Sequence, residues 1–328
     1  MISTVFGIVV FAALVAYGDV RKVGSSLGDF RWELAPIILG VAMGNYLLRF
    51  VKWHYYLGKV GVKGLRIQDS FLIYMSGLGM TITPGKVGEW LKCYLLKDMH
   101  GTPVTRSTPI LLAERLTDAL ALMVLATIGV IAFERQTWPI VGVVVLGSAV
   151  TVAISRHRGL TKRLVASSRR LPVIGRFTTQ LDEMSESNYL LMDPVGVVLM
   201  TLLSVAAWGT QVVAFYLVLI GLDVDAGADT FARASFILPI STLAAALLLL
   251  PGGLGVAETG ITSLSVSLLD LGRSTASAAT LIVRIATLWF AVVLGLIAFA
   301  ILLRRTPTPA AEEARAEPRL LASRGPAR

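Results

Sequence analysis

Cysteine and histidine are almost missing from this sequence: Cys93 is the single cysteine among 328 residues, and His54, His100 and His157 are the only histidines. A lone cysteine forms no internal disulfide, and so few soft ligands give no Cys/His metal cluster, so no metal is expected. Charge is scarce too, at 16% of residues where soluble domains carry about 25%. The sequence offers no Ser/His/Asp arrangement and no glycine-rich nucleotide loop behind a strand. The common hydrolase and nucleotide-binding signatures are thereby removed, and no cofactor is expected.

Apolar side chains fill the space that charge leaves. The chain is 55% hydrophobic with a mean hydropathy of +0.73, far outside soluble usage, which places it in a bilayer. Its net charge of +9 could suggest nucleic acid, but the basic residues collect in loops beside apolar runs, where they set topology and meet anionic headgroups. Nucleic-acid binding is therefore not expected.

Six segments approach the roughly 20 apolar residues that a helix needs to cross the hydrocarbon core: Ile2 to Tyr17, Leu34 to Leu57, Ile110 to Phe133, Trp138 to Ile154, Val195 to Ile220 and Leu281 to Leu303. The first lacks a basic leader and a small-residue cleavage site, so it reads as a retained helix rather than a signal peptide. Seven basic residues and no acidic one lie between Arg156 and Arg176, which assigns that loop to the cytoplasm, together with both termini. Asp223, Asp225 and Asp229 fall on the opposite side. The tail, 306–328, is rich in Ala, Pro, Arg and Glu with little to bury and is expected to be disordered.

Two shorter apolar stretches remain, Ser70 to Thr83 and Ser235 to Leu250, each ended by Pro-Gly. Both read as re-entrant hairpins, because irregular backbone at membrane depth is tolerated only inside protein or along a wet cavity. Their surroundings repeat. Ser70-Phe71-Leu72-Ile73 leads to Pro84-Gly85-Lys86-Val87-Gly88-Glu89, while Ser235-Phe236-Ile237-Leu238 leads to Pro251-Gly252-Gly253-Leu254-Gly255 and Glu258. Each glutamate is followed 26 residues later by an arginine in an apolar helix, Arg115 and Arg284. Three crossings separate the hairpins, so they enter from opposite faces. The expected fold is an all-α membrane protein of about six spans plus two opposed hairpins. It forms one domain over 1–305, with repeat 1 at about 34–133 and repeat 2 at about 195–303 related by a pseudo-two-fold axis in the membrane plane.

Ionisable residues inside such segments are costly unless paired, which makes them site candidates. The candidate site comprises Glu89, Arg115, Asp118, Glu258 and Arg284, with Lys86, Gly85, Gly252 and Gly253 beside them. Glu114, Arg115 and Asp118 occupy one broad helix face. The set reads either as an ion network that pins the hairpins or as a cavity in which guanidinium forks hold a phosphate. Arg49, Lys52, Trp53 and His54, with Tyr55 and Tyr56, read as interfacial anchors at the inner end of the second span, with a headgroup site there as the alternative. Lys86, Lys92 and Lys97 read as the lipid-facing edge of a short interfacial helix.

With these motifs in view, the chain resembles the flippase-like membrane region of lysylphosphatidylglycerol synthases, over about residues 1 to 305. The resemblance implies lipid handling. In the bifunctional synthases this region is linked to moving aminoacylated phosphatidylglycerol between leaflets, and stand-alone relatives are tied to other lipids or to polyprenyl-linked sugars. No aminoacyl-transferase region follows the last span in this sequence, so synthesis of the aminoacyl lipid is not expected of it. The implied partners are membrane lipids carrying an anionic headgroup or polyprenyl phosphate, with a homo-oligomer or lipid-synthesis enzymes as further associations. The implied location is the cytoplasmic (inner) membrane of a bacterium or archaeon. An enzyme acting on lipid-linked sugars, with Glu89 or Glu258 as general base, and a non-transporting scaffold are the other readings.

Overall fold

A computed structural model describes residues 2–83, 88–133, 190–248 and 251–305. The expected fourth span, Trp138 to Ile154, lies outside these residues, as do the basic loop that follows it, Pro84 to Val87 with Gly85 and Lys86, and the tail. Every regular element among the described residues is helical. In chain order they are α1 (Ile2–Tyr17), α2 (Val20–Gly28), a 3-10 turn (Trp32–Leu34), α3 (Ala35–Lys59), α4 (Ile67–Gly79), α5 (Leu91–His100), α6 (Val104–Phe133), α7 (Pro194–Gly221), α8 (Ala228–Leu247), a 3-10 turn (Pro251–Gly253), α9 (Val256–Leu268), α10 (Arg273–Arg284), a π-turn (Ile285–Trp289) and α11 (Phe290–Arg305).

Four continuous helical stretches among them are long and apolar enough to cross a membrane: Trp32–Lys59, Val104–Phe133, Pro194–Gly221 and Arg273–Arg305. Their outer faces carry bare apolar side chains, among them Ile37, Val51, Ile128, Val198, Leu202, Val293 and Ile297. Their inner faces hold Lys52, Glu114, Asp118 and Gln211. A water-soluble helix has the opposite arrangement, so the solvent that this surface fits is hydrocarbon.

Local chemistry fixes the helix ends. Pro194 occupies the first turn of α7, and the Asp193 carboxylate accepts the Gly196 N–H at 2.9 Å, so a ring and a cap start this span where the sequence places them. Asp193→Ala should cost about 1 kcal/mol, while Asp193→Asn, which keeps the acceptor, should cost less; chemical unfolding in detergent measures both. Glu258 sits at the third position of α9, and its carboxylate accepts the Gly255 N–H at 2.7 Å, closing the break between α8 and α9.

The shift that relates the two motifs also relates two backbone landmarks. Adding 169 to a residue number takes Glu89 to Glu258 and Arg115 to Arg284. The same shift takes the left-handed turn residue Gly101 (φ 71°) to Asp270 (φ 53°) and the first residue of α6, Val104, to the first residue of α10, Arg273. The halves interlock reciprocally: α4 of the first packs on α11 of the second, and α8 of the second packs on α6 of the first. Glycines allow these close crossings. A Cβ on Gly79 would lie 2.9 Å from the Gly295 carbonyl carbon, and one on Gly129 2.6 Å from the Phe236 nitrogen. Between the two crossings α3 packs on α7, where Asn45 Nδ2 donates to the Ala207 carbonyl at 2.6 Å.

Several helices differ in extent from the sequence reading. α6 begins at Val104, six residues before the expected Ile110, and carries Pro109 within it. α8 begins at Ala228 rather than near Ser235, with the polar residues Asp229 and Arg233 paired across its first turns at 2.7 Å. The last span extends back to Arg273 and is broken by the π-turn directly after Arg284. The hydrophobic run locates apolar windows, whereas polar first turns and π-turns leave no mark on it.

A cavity between the repeats

The 26-residue spacing turns out to be an ion pair in each half. Arg115 Nη2 donates to Glu89 Oε2, and Arg284 Nε donates to Glu258 Oε1 at 2.5 Å. In the second half the arrangement is closed. Glu258 is fully buried, its other oxygen is held by Gly255, and Arg284 Nη2 reaches the Gly252 carbonyl at 2.8 Å. The first pair is looser, since the Arg115 side chain is 35% exposed against 12% for Arg284.

Glu89, Arg115 and Arg284 face one partly open cavity of about 150 Å³ between the two halves. The charged side chains gather on a lining that is otherwise mostly apolar, with Leu78, Leu122, Leu238 and Leu288 among its members. Glu89, Arg115, Asp118, Arg284, Gly252 and Gly253 all line the cavity, while Glu258 supports Arg284 from behind. Of the expected site residues, Gly85 and Lys86 lie outside the described residues.

Arg49 also lines the cavity, and Lys52 and Lys92 are buried in the core rather than at the interface. Asp118 is not a partner of Arg115. It binds Arg49 Nη2 through Oδ2 at 3.1 Å and the Lys52 ammonium through Oδ1. Lys52 is 1% exposed and also donates to Ser204 Oγ at 2.7 Å and Thr117 Oγ1 at 3.3 Å, so it is a core residue and not an interfacial anchor. Lys92 likewise turns inward. Its ammonium meets Glu114 Oε2 at 2.5 Å and lies over the Trp53 ring at 4.5 Å from the centroid, which corrects its expected place on a lipid-facing edge. The three charged residues of the α6 face therefore have separate partners: Glu114 meets Lys92, Arg115 meets Glu89, and Asp118 meets both Arg49 and Lys52. Arg49, one helical turn before Lys52, stacks over Trp208 at 5.6 Å, and its Nε has no protein acceptor. The spacing of Arg49 and Lys52 within an apolar run was the available signal; only the packing of α3 on α7 separates it from routine snorkelling.

Charge is unevenly divided between the halves. The 169-residue shift carries Lys92 to Ile261, Glu114 to Val283 and Asp118 to Thr287, and α7, which matches α3, contains no Asp, Glu, Lys or Arg. Among the described residues, the buried ion pairs that include the cavity-lining arginines and their neighbours join five cations, Arg49, Lys52, Lys92, Arg115 and Arg284, to four carboxylates, Glu89, Glu114, Asp118 and Glu258. One positive charge is left over, beside Asp118. Each guanidinium has five donors, and none of the three arginines spends all of them on protein. The arrangement is suited to holding a compact anion with several oxygens.

Comparison with known proteins identifies the family. The family model described as the lysylphosphatidylglycerol synthase TM region matches residues 4–295. A UPF0104 membrane protein of Methanothermobacter thermautotrophicus is 23% identical over 309 residues, covering 88% of this chain and 90% of its own. The glycosyltransferase AglD of Haloferax volcanii is 26% identical over 319 residues, covering 84% of this chain but 50% of its own, so the chain spans about half the length of that relative. With nearly every described helix inside the matched region, the chain is a membrane protein that belongs to the lysylphosphatidylglycerol synthase transmembrane-region family.

Proposed function

We propose that this protein binds the phosphate of an anionic membrane lipid in the central cavity and moves that headgroup between leaflets. The observation that carries this reading is the convergence of Arg49, Arg115 and Arg284, drawn from both halves, on one cavity beside a buried ionic network with one more cation than carboxylate. Planar guanidinium forks match phosphate oxygens, and a buried excess cation is stabilised by an anion.

The architecture proposed around this site has six spans, one of them within 134–189, and two re-entrant hairpins, α4–α5 and α8–α9. They enter from opposite faces as parts of an inverted repeat within a single domain, 1–305. The reciprocal α4–α11 and α6–α8 contacts support that reading, because a two-fold relation makes such contacts come in pairs. Both termini are assigned to the cytoplasmic side of a bacterial or archaeal inner membrane. Phospholipids and lipid-linked phosphates share the chemistry that the arginines recognise. The likeness to a glycosyltransferase keeps lipid-linked sugar phosphates among the substrates, with a partner enzyme of lipid synthesis as the associated alternative.

A reconstituted-vesicle assay of leaflet exchange, normalised to folded protein, tests the reading. Arg284→Lys keeps the charge but cannot reproduce the fork, so exchange should fall at least tenfold with stability little changed. Arg304→Lys, at the exposed end of α11, should be nearly silent. Normal exchange by a stable Arg284→Lys protein would overturn the assignment.

A further inference from the structure

A polar side chain inside an apolar span costs free energy unless something bonds it. α7 carries no charged residue and a single amide, Gln211. That residue is 6% exposed and lines the cavity, and no hydrogen-bonding group among the described residues meets its amide. Two N–H donors and one carbonyl acceptor are therefore left unspent. The other amide of the lining, Asn45 on α3, has already given its Nδ2 to the Ala207 carbonyl at 2.6 Å.

The rest of the lining limits what Gln211 can meet. Two hydroxyls share the cavity wall, Thr242 of α8 and Thr287 of the π-turn. Each gives its hydrogen to the carbonyl one turn back, Leu238 at 2.8 Å and Val283 at 2.6 Å, so each can only accept from a ligand. The carboxylates of the lining are occupied, Asp118 by Arg49 and Lys52, and Glu89 by Arg115. A ligand group at Gln211 thus meets neutral acceptors and a neutral donor, beside an ionic network with a surplus cation. An ammonium only donates, and that surplus repels it. A hydroxyl donates and accepts, and carries no charge to be repelled.

Gln211 also stands at a useful distance from the anion-binding groups. It lies three residues after Trp208, over whose ring Arg49 stacks at 5.6 Å. Residues three apart on a helix are about 5–6 Å from one another at Cβ, a separation that a short headgroup spans. The 169-residue shift sets Gln211 against Ala42 and Arg49 against Val218, so α3 supplies charge where α7 supplies an amide.

Resting on the reading of the cavity as a lipid-phosphate site, we infer that Gln211 selects the headgroup: the ligand is a phosphodiester whose headgroup bears free hydroxyls, as a glycerol or a sugar does, and no amine. The Gln211 amide both donates to and accepts from those hydroxyls, and Thr242 and Thr287 accept from others. A site built to bond a hydroxyl rejects the analogue that lacks it, because its own polar group is then left unpaired.

Calorimetric titration of the full chain in phosphatidylcholine nanodiscs compares three short-chain phospholipids with identical tails: phosphatidylglycerol, phosphatidylethanol and phosphatidylethanolamine. Phosphatidylglycerol should bind about tenfold more tightly than phosphatidylethanol, the order that one or two added hydrogen bonds supply. Phosphatidylethanolamine should bind more weakly than either. A short-chain prenyl phosphohexose against the ethyl ester of the same prenyl phosphate repeats the comparison on the other source of such headgroups, and the pair with the larger preference identifies the source. Gln211→Leu keeps the bulk and removes the amide, so the preference for the hydroxylated member should be lost. Arg284→Lys should instead weaken both members of a pair alike. No preference for the hydroxylated member of either pair, phosphatidylethanolamine binding as tightly as phosphatidylglycerol, or a full preference in folded Gln211→Leu overturns the hydroxyl site while leaving the phosphate reading intact. The wild-type comparisons decide even if Gln211→Leu fails to fold. Binding of none of the probes overturns both.

Discussion

Glu114→Val alone should destabilise the protein by about 3–5 kcal/mol, while Lys92→Ile with Glu114→Val should return to within about 1–2 kcal/mol of wild type. The single change strands the Lys92 ammonium, 4% exposed, against the Trp53 and Tyr74 rings with its carboxylate gone. Cation–π contact offsets only part of that loss. The double change installs what the second half already uses at the matching positions, Ile261 and Val283, both packed in its apolar core. A buried ion pair is often replaceable by apolar side chains of similar volume, although each half of it is costly to lose. Chemical unfolding of the four proteins in a double-mutant cycle measures the coupling. A double variant as unstable as Glu114→Val would mean that the two repeats do not share this register.

Gly295→Ala is the second large effect, at about 3 kcal/mol of destabilisation. A Cβ at Gly295 meets the backbone of Gly79 and the Met75 carbonyl, and neither can turn aside as a side chain would. The crossing of α4 on α11 would have to open, and with it the link between the halves that positions Glu89 and Arg284 around one cavity. Gly40→Ala, with nothing near the added atom and an exposed position on α3, should be neutral or stabilising by up to about 1 kcal/mol as the better helix former. Folded yield and unfolding midpoints in detergent compare the two, and equal behaviour would contradict the packing described for α4 and α11.

The sequence was informative where chemistry repeats at fixed spacing. Glu89 with Arg115 and Glu258 with Arg284 could be paired from their common separation, and the family could be recognised from the Pro-Gly breaks beside them. It was uninformative where a side chain's role depends on which helix packs against its own. Lys52 has the surroundings of a snorkelling anchor in one dimension; it is buried because α7 covers that face and Ser204 meets its ammonium. Spacing alone puts Lys92 on a lipid-facing edge, whereas the packing of α5 against α4 and α6 turns it onto Glu114. The division of α6 among Lys92, Glu89 and the Arg49–Lys52 pair has the same cause. Helical periodicity says which residues share a face but not what lies opposite each of them. The π-turn after Arg284 has no composition signal, yet it brings the Thr287 carbonyl to the Tyr46 hydroxyl at 2.6 Å.

The claim that three arginines hold a lipid phosphate is tested most directly by native mass spectrometry of the protein released from its own membrane. Wild type should retain a phosphate-bearing lipid, Arg115→Gln and the charge-keeping Arg284→Lys should each lose it while remaining folded, and Arg304→Gln should retain it. Equal retention of the same lipid by all four proteins would contradict the account.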